Sequence, residues 1–357
     1  MRLNPRLAES PLRQTPGQRL GHTRKRVGAP SAQWLPEDIG ERTFVQWWRG
    51  LGDVPGDWPD SVVTMGVFDG VHRGHRALVS LAVERARIGH LPAVVVTFDP
   101  HPVAVLQPGS EPARLCSLEH RVQLLGELGI EAVFVLPFTA ERAAQSAEDF
   151  VLEVLVDTLH AAVVMVGEGF RFGHRAAGDV ALLAVMGRDY GFSASGAPLL
   201  AAADHPVSST WIRERVAAGD AAAAADALAR PHRVEGTVVR GDRRGRELGY
   251  PTANVAVDPG SAVPADGIYA GWLVVAGESL PAAISLGTNP TFGGGQRRVE
   301  AYALDRDDLD LYDARVAVDF AARIRDTESF DSVDGLIAQM AEDVARARVV
   351  TAESAHP

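Results

Sequence analysis

The chain has 357 residues, a formal net charge of −11 and 46% hydrophobic residues, with Cys116 as its single cysteine. This length suffices for two domains, and no apolar run approaches the ~20 residues that a membrane-spanning helix requires. One cysteine excludes an intrachain disulfide framework and a cysteine-based zinc site, and the acidic charge argues against a nucleic-acid partner. We therefore expect a cytoplasmic protein that binds neither membranes nor nucleic acids.

Lysine is nearly absent from the chain, which limits the ways in which it can bind a nucleotide. Lys25 is the sole lysine among the 35 basic residues. A Walker A motif needs a lysine on the nucleotide phosphates, so residues 26–357 contain no such motif. Chemistry with ATP therefore has to rely on backbone N–H groups, arginines, histidines and a metal ion.

The beginning of the chain differs in composition from the rest. Residues 1–30 contain seven basic residues and one acidic residue, Glu9, without sustained periodicity. Such a polar segment does not bury enough apolar surface to fold alone. We assign residues 1–44 to a disordered extension.

Strands and helices alternate from Ser61 onward. Four short runs rich in β-branched residues predict strands that are buried on both faces, at Val62–Phe68, Ala93–Phe98, Ala132–Phe138 and Ala161–Val166. Segments with helical spacing lie between and after them, at Gly74–Ile88, Leu118–Leu128, Ala147–Thr158 and Asp179–Arg188. The alternation predicts an α/β fold for residues 45–219, a doubly wound, Rossmann-like parallel sheet whose ligands bind at the carboxyl ends of its strands.

The periodicity changes after an alanine-rich stretch. Residues 220–231 predict a helical linker that ends at Pro231. Short strands with frequent glycine and proline turns follow, at Arg233–Arg240, Ala253–Val257, Ile268–Ala276, Ala282–Leu286, Arg298–Leu304 and Arg315–Phe320. No long helix separates them, so residues 232–350 predict an antiparallel six-stranded β-barrel or a sandwich. An amphipathic helix at Val333–Arg348 would pack against it, and residues 351–357 form a tail.

A glycine-rich turn between the first predicted strand and the first predicted helix points to phosphate binding. Gly66 and Phe68 lie at the end of the predicted strand, Asp69 and Gly70 follow it, and His72-Arg73-Gly74-His75 stands where the helix begins. Backbone N–H groups and the helix dipole attract an anion at such a helix N-terminus. In isolation, the tetrapeptide is more often a chance match, a metal-binding pair or two core histidines.

The tetrapeptide resembles the His-x-Gly-His element of the nucleotidylyltransferase superfamily, and Ser208-Ser209-Thr210-Trp211-Ile212-Arg213 resembles its second signature. These enzymes act at the α-phosphorus of a nucleotide and release pyrophosphate. The resemblance implies that His72, His75 and Arg213 are catalytic. It also implies an ATP site formed by Gly66, Phe68, Asp69, Gly70, Gly74, Ser208, Ser209 and Thr210. Alone, the second segment is more simply a helix cap supplied by Ser209 or Thr210.

Two further segments resemble the adenylyltransferase half of bacterial bifunctional riboflavin kinase/FAD synthetases. They are Thr97-Phe98-Asp99-Pro100-His101-Pro102 and Gly167-Glu168-Gly169-Phe170-Arg171-Phe172-Gly173. The resemblance implies that Asp99, Phe170 and Phe172 bind flavin; a turn residue and two core residues are the alternatives. That family commonly has Asn or Asp where this chain has Gly169, so a side-chain contact there is missing or replaced.

A glycine- and arginine-rich loop joins the first two strands of the predicted barrel. Residues 241–254 offer backbone N–H groups for phosphates, and Thr252 and Asn254 offer oxygens for a metal ion. A flexible surface hairpin is the alternative. The sequence Pro251-Thr252-Ala253-Asn254 matches the riboflavin kinase motif. The resemblance implies an ATP site at Gly241, Gly245, Gly249, Thr252 and Asn254, with Mg²⁺ at the last two residues.

The same resemblance assigns the remaining residues of the kinase site. Asn289, in Gly287-Thr288-Asn289-Pro290-Thr291-Phe292, and Tyr312 would bind flavin. Glu300 would be the general base that takes the proton of the riboflavin 5′-hydroxyl as that hydroxyl attacks the γ-phosphorus of ATP. A solvated strand residue is the alternative for Glu300.

The resemblance runs from Val45 to Arg348 in the order of the family. It implies a multifunctional transferase: a kinase domain converts riboflavin and ATP to FMN, and a nucleotidyltransferase domain converts FMN and ATP to FAD and pyrophosphate. We expect Mg²⁺ as the divalent cation, and a monomer or a weak homo-oligomer. The alternatives are a nucleotidyltransferase for another alcohol phosphate, and a flavin-binding sensor or carrier without turnover.

Overall fold

The computed structural model describes residues 45–198, 201–202, 205–241, 248–288 and 297–354, all within one compact unit. The predicted extension at residues 1–44 lies outside these ranges, as do Gly245 and Asn289. Along the described chain, a parallel sheet is followed by an antiparallel barrel. No helix of the described residues combines the length and the apolar character needed to cross a membrane.

The first domain is built on a parallel sheet. Its strands are Gln46–Arg49 (β1), Ser61–Met65 (β2), Ala93–Asp99 (β3), Ala132–Pro137 (β4), Ala161–Gly167 (β5) and Ser193–Ala197 (β6). They lie in the order β1-β4-β3-β2-β5-β6, with all neighbours parallel. The predicted doubly wound α/β fold is therefore confirmed. The sequence analysis did not predict the edge strands β1 and β6, because neither has the β-branched residues that mark a buried strand.

Apolar side chains cover both faces of this sheet. Along β2, Val63 and Met65 join one core cluster, whereas Val62 joins the opposite cluster beneath the first helix with Val79. Successive side chains of a strand point to opposite faces, so a continuous valine-rich run can be buried on both. Because helices occupy both faces, the strand ends are the free part of the sheet.

The helices of the first domain mostly match the predicted ones. They are Arg73–Gly89 (α1), Pro102–Leu106 (α2), Leu118–Glu127 (α3), Ala140–Ala144 (α4), Ala147–Phe150 (α5), Val180–Tyr190 (α6) and Ser209–Ala217 (α7). α5 continues as a π-helix over Val151–Val156, and two short strands, Ala201–Ala202 (β7) and His205–Pro206 (β8), precede α7. Ser146 accepts a hydrogen bond from the Asp149 backbone N–H at 3.0 Å and thereby caps α5.

The second domain is a closed six-stranded barrel. Its strands are His232–Val239 (β9), Ala253–Val257 (β10), Gly267–Val275 (β11), Glu278–Thr288 (β12), Arg297–Ala303 (β13) and Arg315–Arg325 (β14). They close in the order β10-β13-β12-β11-β14-β9 with every pair antiparallel. This confirms the barrel and excludes the sandwich.

The linker and the terminal helix connect these elements. The linker forms a helix, Ala221–Leu228 (α8), as predicted, and the terminal helix Val333–Glu353 continues past the expected domain end at 350. We call the terminal helix α9; it packs on β11, β12 and β14. At the two ends of α8, Ala221 belongs to the barrel core and Leu228 packs in a cluster with Leu115 and Ile212. The linker helix therefore contacts both domains.

Two histidines are buried near the junction of the domains. His120 of α3 and His232 of β9 are 6% and 1% exposed. Burial, with Arg230 contributing, lowers the pKa of His120 to about 3 and the pKa of His232 to about 4. His232 donates its Nε2 hydrogen to the Ala262 carbonyl at 2.7 Å. Both rings are therefore neutral near pH 7.

Lowering the pH from 7 to 5 should destabilise the protein through these histidines. Each ring has a lower pKa in the folded chain than the value near 6.5 expected on unfolding, so unfolding takes up protons in acid. This stabilisation is complete above about pH 6.5 and is lost as the pH falls towards 4. At pH 5 we expect a loss of about 2 kcal/mol per histidine in the free energy of unfolding, measured by urea denaturation.

A variant pair isolates this effect. His120→Gln removes a buried ring and should weaken the pH dependence of the free energy of unfolding. His90→Asn is the control, because it removes an exposed ring at a position with a left-handed φ of 52°. The pH dependence of the control should equal that of the unaltered chain. An unchanged pH dependence in His120→Gln would contradict the interpretation.

Candidate active sites

The sheet order reverses beside β2, and this places a crevice at the carboxyl ends of two strands. β3 and β4 extend the sheet on one side of β2, whereas β5 and β6 extend it on the other. In doubly wound sheets, ligands bind where the strand order reverses. The turn at Gly66–Gly70 leaves β2 and the segment Gly167–Gly173 leaves β5, so two of the predicted motifs meet at this point.

The two histidines form a stacked pair at the N-terminus of α1. His72 is the N-cap, and its Nδ1 accepts a hydrogen bond from the His75 backbone N–H at 3.3 Å. The two rings stack with centroids 3.6 Å apart, and Phe68 packs edge-on against His75 at 5.2 Å. A Cβ on Gly74 would lie 3.2 Å from the His72 ring. Glycine is thus needed at that position for the rings to stack.

The turn before the helix has an unusual backbone. Phe68, Gly70 and Val71 have φ values of 53°, 81° and 40°. At Gly70 an added Cβ would lie 3.0 Å from the Leu115 side chain and 3.1 Å from the Leu228 side chain. Positive φ and this close packing together require glycine. Besides its predicted place in the ATP site, Gly70 therefore allows the turn to adopt this backbone conformation.

Burial keeps both catalytic candidates neutral. His72 is 5% exposed, and burial lowers its pKa to about 4. Burial, then His72 and Arg121, hold the pKa of His75 well below its usual value. A neutral imidazole still offers an N–H donor, and His75 Nδ1 has no hydrogen-bond partner among the described residues. The pair can therefore donate to phosphate oxygens without carrying a charge beforehand.

Asp69 is a buried acceptor within this site. The residue is 2% exposed, and its carboxylate accepts from the backbone N–H groups of Leu115 at 3.0 Å and Cys116 at 3.3 Å. Arg213 donates to it at 2.6 Å. The sequence analysis assigned Asp69 to ATP binding, but these donors already occupy its oxygens. The structure gives it the role of fixing Arg213.

The second signature packs directly against the first. Ser208 is the N-cap of α7 and accepts from the Trp211 backbone N–H at 3.2 Å, so the cap is Ser208 rather than Ser209 or Thr210. Ser209 donates its hydroxyl hydrogen to the Asp69 carbonyl at 2.9 Å. Thr210 is exposed. Thr210 and Arg213 are therefore the members of this signature nearest to open space.

The predicted flavin residues of the first domain lie in different surroundings. Asp99 is exposed at the carboxyl end of β3, where a ligand can reach it. Phe172 is 7% exposed and packs against Phe150, with ring centroids 5.7 Å apart. Phe170 is partly buried and stacks on Phe172 at 5.8 Å. Phe172 is thus a core residue, which was the alternative to its assignment as a flavin ligand. Phe170 is the more accessible of the two rings.

Arg121 is a residue of this site that the sequence analysis missed. It lies on α3, 6% exposed, and donates from Nη1 to the Thr97 hydroxyl at 3.3 Å. Its Nη2 lies 3.9 Å from Asp69 Oδ1. No motif marks it, because arginines on helices are mostly solvated. The helical spacing did indicate that Arg121 is buried, since it places Arg121 on the same face of α3 as Leu124 and Leu125.

The second site is an apolar cavity on the outside of the barrel. A cavity of about 320 Å³ separates the barrel wall from α9. Its apolar lining includes Phe330, Leu336, Met340 and Val344. Glu300 lines the same cavity and lies directly opposite Asn254 in the pairing of β13 with β10. The structure therefore brings the predicted base and one predicted metal ligand together beside an apolar pocket.

Thr252 and Gly241 complete this arrangement. Thr252 lines the cavity beside α9 and also a smaller cavity of about 50 Å³ at the barrel mouth. A Cβ on Gly241 would lie 2.4 Å from the Asn254 side chain, so the start of the glycine-rich loop contacts Asn254. Gly249 has a φ of 87°, with nothing within 4 Å of an added Cβ.

Tyr312 and Glu300 line different cavities. It lines the smaller cavity with Leu309 and Leu311, and the Arg240 guanidinium lies 5.6 Å from its ring centroid. It does not line the cavity that holds Glu300. The assignment of Tyr312 to flavin stays a prediction; the structure places its ring in the smaller cavity together with Thr252.

A buried ion pair that the sequence analysis did not predict joins α9 to the barrel. Arg325 of β14 donates to Asp343 of α9 through two hydrogen bonds of 2.8 and 2.7 Å. Asp343 is 4% exposed, and both residues line the larger cavity. Planar, doubly bonded pairs of this kind set orientation as well as attraction. The pair therefore holds α9 over the cavity.

Comparisons with known proteins identify the family of each part of the chain. Residues 54–211 match the FAD synthetase family and residues 228–351 match the riboflavin kinase family. The chain is 37% identical over 288 residues to the bifunctional riboflavin kinase/FMN adenylyltransferase of Escherichia coli K12, covering 80% of this chain and 91% of that protein. It is 37% identical over 309 residues to the enzyme of the same name from Pseudomonas fluorescens, covering 86% and 98%.

A solved structure also resembles the whole described fold. A crystal structure from Streptococcus pneumoniae, described as a macrolide-efflux protein, superposes with a TM-score of 0.77 at 31% sequence identity. The match covers 85% of this chain and 99% of that one. The two-domain arrangement is thus shared along nearly the full length of that protein.

Gly74→Ala should impair the first site selectively. The new methyl group would lie 3.2 Å from the His72 ring and 3.5 Å from the Val207 carbonyl, so the stacked pair must shift. We expect the rate of adenylyl transfer to FMN to fall by on the order of tenfold or more, measured by chromatography of the flavin products. Gly52→Ala is the control, because nothing lies within 4 Å of its added Cβ. Equal activity of the two variants would contradict the need for glycine.

Proposed function

The chain belongs to the bifunctional riboflavin kinase/FMN adenylyltransferase family, and we propose how its two sites perform the two reactions. The barrel phosphorylates riboflavin to FMN with ATP, and the α/β domain transfers the adenylyl group of ATP to FMN. The observation that carries the residue assignment is the pairing of Glu300 with Asn254 beside an apolar cavity.

Riboflavin binds in the cavity between the barrel and α9. About 320 Å³ suits a flat ring system, and binding pockets for such ligands are mostly apolar with a few polar groups. Phe330 and Met340 supply apolar walls, and the Arg325–Asp343 pair supplies polar groups. With the ring under α9, the ribityl chain extends towards Glu300.

Phosphoryl transfer then takes place between Glu300 and Thr252. The 5′-oxygen of riboflavin attacks the γ-phosphorus of ATP, and the bond from that phosphorus to the bridging oxygen breaks, which releases ADP. The hydroxyl proton passes to the Glu300 carboxylate, as general base catalysis requires. Because Thr252 also lines the smaller cavity, the nucleotide approaches from that side of Thr252, and its γ-phosphate reaches the flavin side there.

The residues at this point fit a magnesium ion. Mg²⁺ prefers oxygen ligands and is held by few protein groups beside substrate phosphates and water; the Thr252 hydroxyl and the Asn254 amide oxygen are such groups. Among the described residues no cluster of three or more His, Cys, Asp or Glu residues forms a separate metal centre. When bound, the ion would neutralise charge on the transferred phosphoryl group.

Adenylyl transfer takes place at the N-terminus of α1. An oxygen of the FMN phosphate attacks the α-phosphorus of ATP, and the bond to the oxygen that bridges to the β-phosphorus breaks, so pyrophosphate leaves. His72 and His75 donate hydrogen bonds to the α-phosphate oxygens, and Thr210 and Arg213 hold the departing phosphates. Catalysis here consists of positioning and charge stabilisation. FMN approaches past Asp99 and Phe170, at the ends of β3 and β5.

We place both reactions in the cytoplasm, and we retain a monomer or weak homo-oligomer as the working assembly. The cavity beside Glu300 argues against the two alternatives. A nucleotidyltransferase for another alcohol phosphate has no use for a barrel with an apolar pocket, and a carrier has no need of a carboxylate opposite Asn254.

Glu300→Ala should separate the two activities. Removal of the general base should lower the rate of FMN formation from riboflavin by a factor of about 10² to 10⁴. FAD formation from supplied FMN should stay within about two-fold, because the cavity that Glu300 lines contains no residue of the first domain. Both rates are measured by separating the flavins after incubation with ATP and Mg²⁺. The control is Glu342→Ala, which removes an exposed glutamate of α9. Parallel loss of both activities in folded protein would overturn the assignment.

Gly169→Asn tests the departure from the family pattern. Nothing lies within 4 Å of a Cβ built on Gly169, so a side chain fits there. The new amide would restore a polar contact at the end of β5, and we expect the KM for FMN or ATP in FAD formation to fall by about two- to tenfold. Gly169→Ala is the matched control, since it adds a Cβ without an amide. Equal KM values in the two variants would mean that no contact is missing.

A further inference from the structure

Three buried charged groups lie behind the stacked histidines. We call Asp69, Arg121 and Arg213 the Asp69 cluster. Their side chains are 2%, 7% and 16% exposed. One carboxylate faces two guanidinium groups, so the cluster carries one excess positive charge that solvent screens poorly.

The two arginines are not bound equally well. Arg213 has a close contact to Asp69 at 2.6 Å and a second hydrogen bond to the Ala113 carbonyl at 2.7 Å. Arg121 lies 3.9 Å from Asp69, beyond hydrogen-bond distance, and reaches the Thr97 hydroxyl at 3.3 Å. Its Nε has no hydrogen-bond partner among the described residues. The excess charge of the cluster therefore resides on Arg121.

A buried arginine with incomplete pairing destabilises a fold. Arg142 in the same domain avoids this, because it forms hydrogen bonds with both Gln145 and Glu153. Arg121 has no such compensation, although it lies at the carboxyl ends of the strands where anions bind. An incoming anion would supply the missing partner.

The charge of Arg121 also reaches the residues that would contact ATP. After burial and His72, Arg121 contributes to holding the pKa of His75 low. It acts in the same direction on His101, where burial is the largest cause of the lowered pKa. Neutral histidines and a fixed positive charge thus act on one another within this site.

We propose that Arg121 is a positioning residue for adenylyl transfer, whose guanidinium supplies the uncompensated positive charge that holds the ATP phosphates at His72 and His75. The inference rests on the proposed role of those histidines. Negative charge grows on the departing pyrophosphate during the reaction, so a fixed positive charge in a water-poor site stabilises the transition state more than the ground state. Removal of the charge should therefore lower kcat as well as raise the KM for ATP.

The test uses the full chain with supplied FMN, ATP and Mg²⁺. Arg121→Met keeps an apolar chain without charge, and we expect kcat/KM for ATP in FAD formation to fall on the order of 10- to 100-fold. Arg121→Lys keeps the charge but loses the planar hydrogen-bonding geometry, and it should recover most of that loss. Riboflavin phosphorylation by the same protein should remain within about two-fold in both variants.

Arg142→Met is the matched control. It removes a partly buried, ion-paired arginine from the same domain, so it reports the effect of lost structure without lost charge at the site. A merely structural role for Arg121 predicts that Lys is no better than Met, and that the loss of FAD formation follows the loss in melting temperature. That result, or an unimpaired Arg121→Met, would overturn the proposal.

Two further measurements keep the test decisive. If Arg121→Met does not fold, Arg121→Gln replaces it, and Lys must still exceed Gln in FAD formation. His75→Ala separates the proposal from the function it rests on. A wild-type chain that makes no FAD, or a fully active His75→Ala, would refute the site itself, whereas an inactive His75→Ala with a fully active Arg121→Met would refute the role of Arg121 alone.

Discussion

The buried carboxylate of Asp69 is the contact on which the adenylyl site depends. It follows the strand that leads to the stacked histidines, and it fixes Arg213 from the second signature at 2.6 Å. The Asp69 backbone carbonyl accepts the Ser209 hydroxyl as well. Two signatures more than a hundred residues apart are thus joined by one residue. In a site with so little water, a charged hydrogen bond of this kind is stronger than at a surface.

The same carboxylate connects the adenylyl site to the barrel. The Leu115 and Cys116 amides bind Asp69, and the preceding residue, Arg114, pairs with the barrel loop: its N–H donates to Gly260 and its carbonyl accepts from Ala262, both at 2.8 Å. The kinase domain therefore supports the geometry of the adenylyl site through this loop. In the barrel domain a second buried pair, Arg325–Asp343, plays the corresponding part by holding α9 over the larger cavity.

Most of the fold follows from local patterns in the sequence. Valine-rich runs, helical spacing and capping residues act over a few neighbouring positions, so the central strands, the long helices and the barrel strands were predictable. The edge strand Ser193–Ala197 was not, since its small residues have no strand preference of their own and extend only by pairing with β5. Gln46–Arg49 was missed for another reason: its two tryptophans favour a strand, but four residues are too few to form a recognisable pattern, and the segment pairs with β4.

The functional sites divide in a similar way. The chain order strand, glycine turn and helix places His72 and His75 at a helix N-terminus whatever the rest of the molecule does, and the Pro251–Asn254 motif likewise marks the kinase loop. By itself, therefore, the sequence determined the two folds and, through the family resemblance, the activity of each; the residues that carry those activities stay predictions. Tertiary packing alone decided that Phe172 is core, that Tyr312 faces the smaller cavity and that Arg121 joins the adenylyl site. Those outcomes depend on contacts between segments that are distant in the chain. Burial, which these contacts create, decides whether such a side chain packs in the core or can reach a ligand.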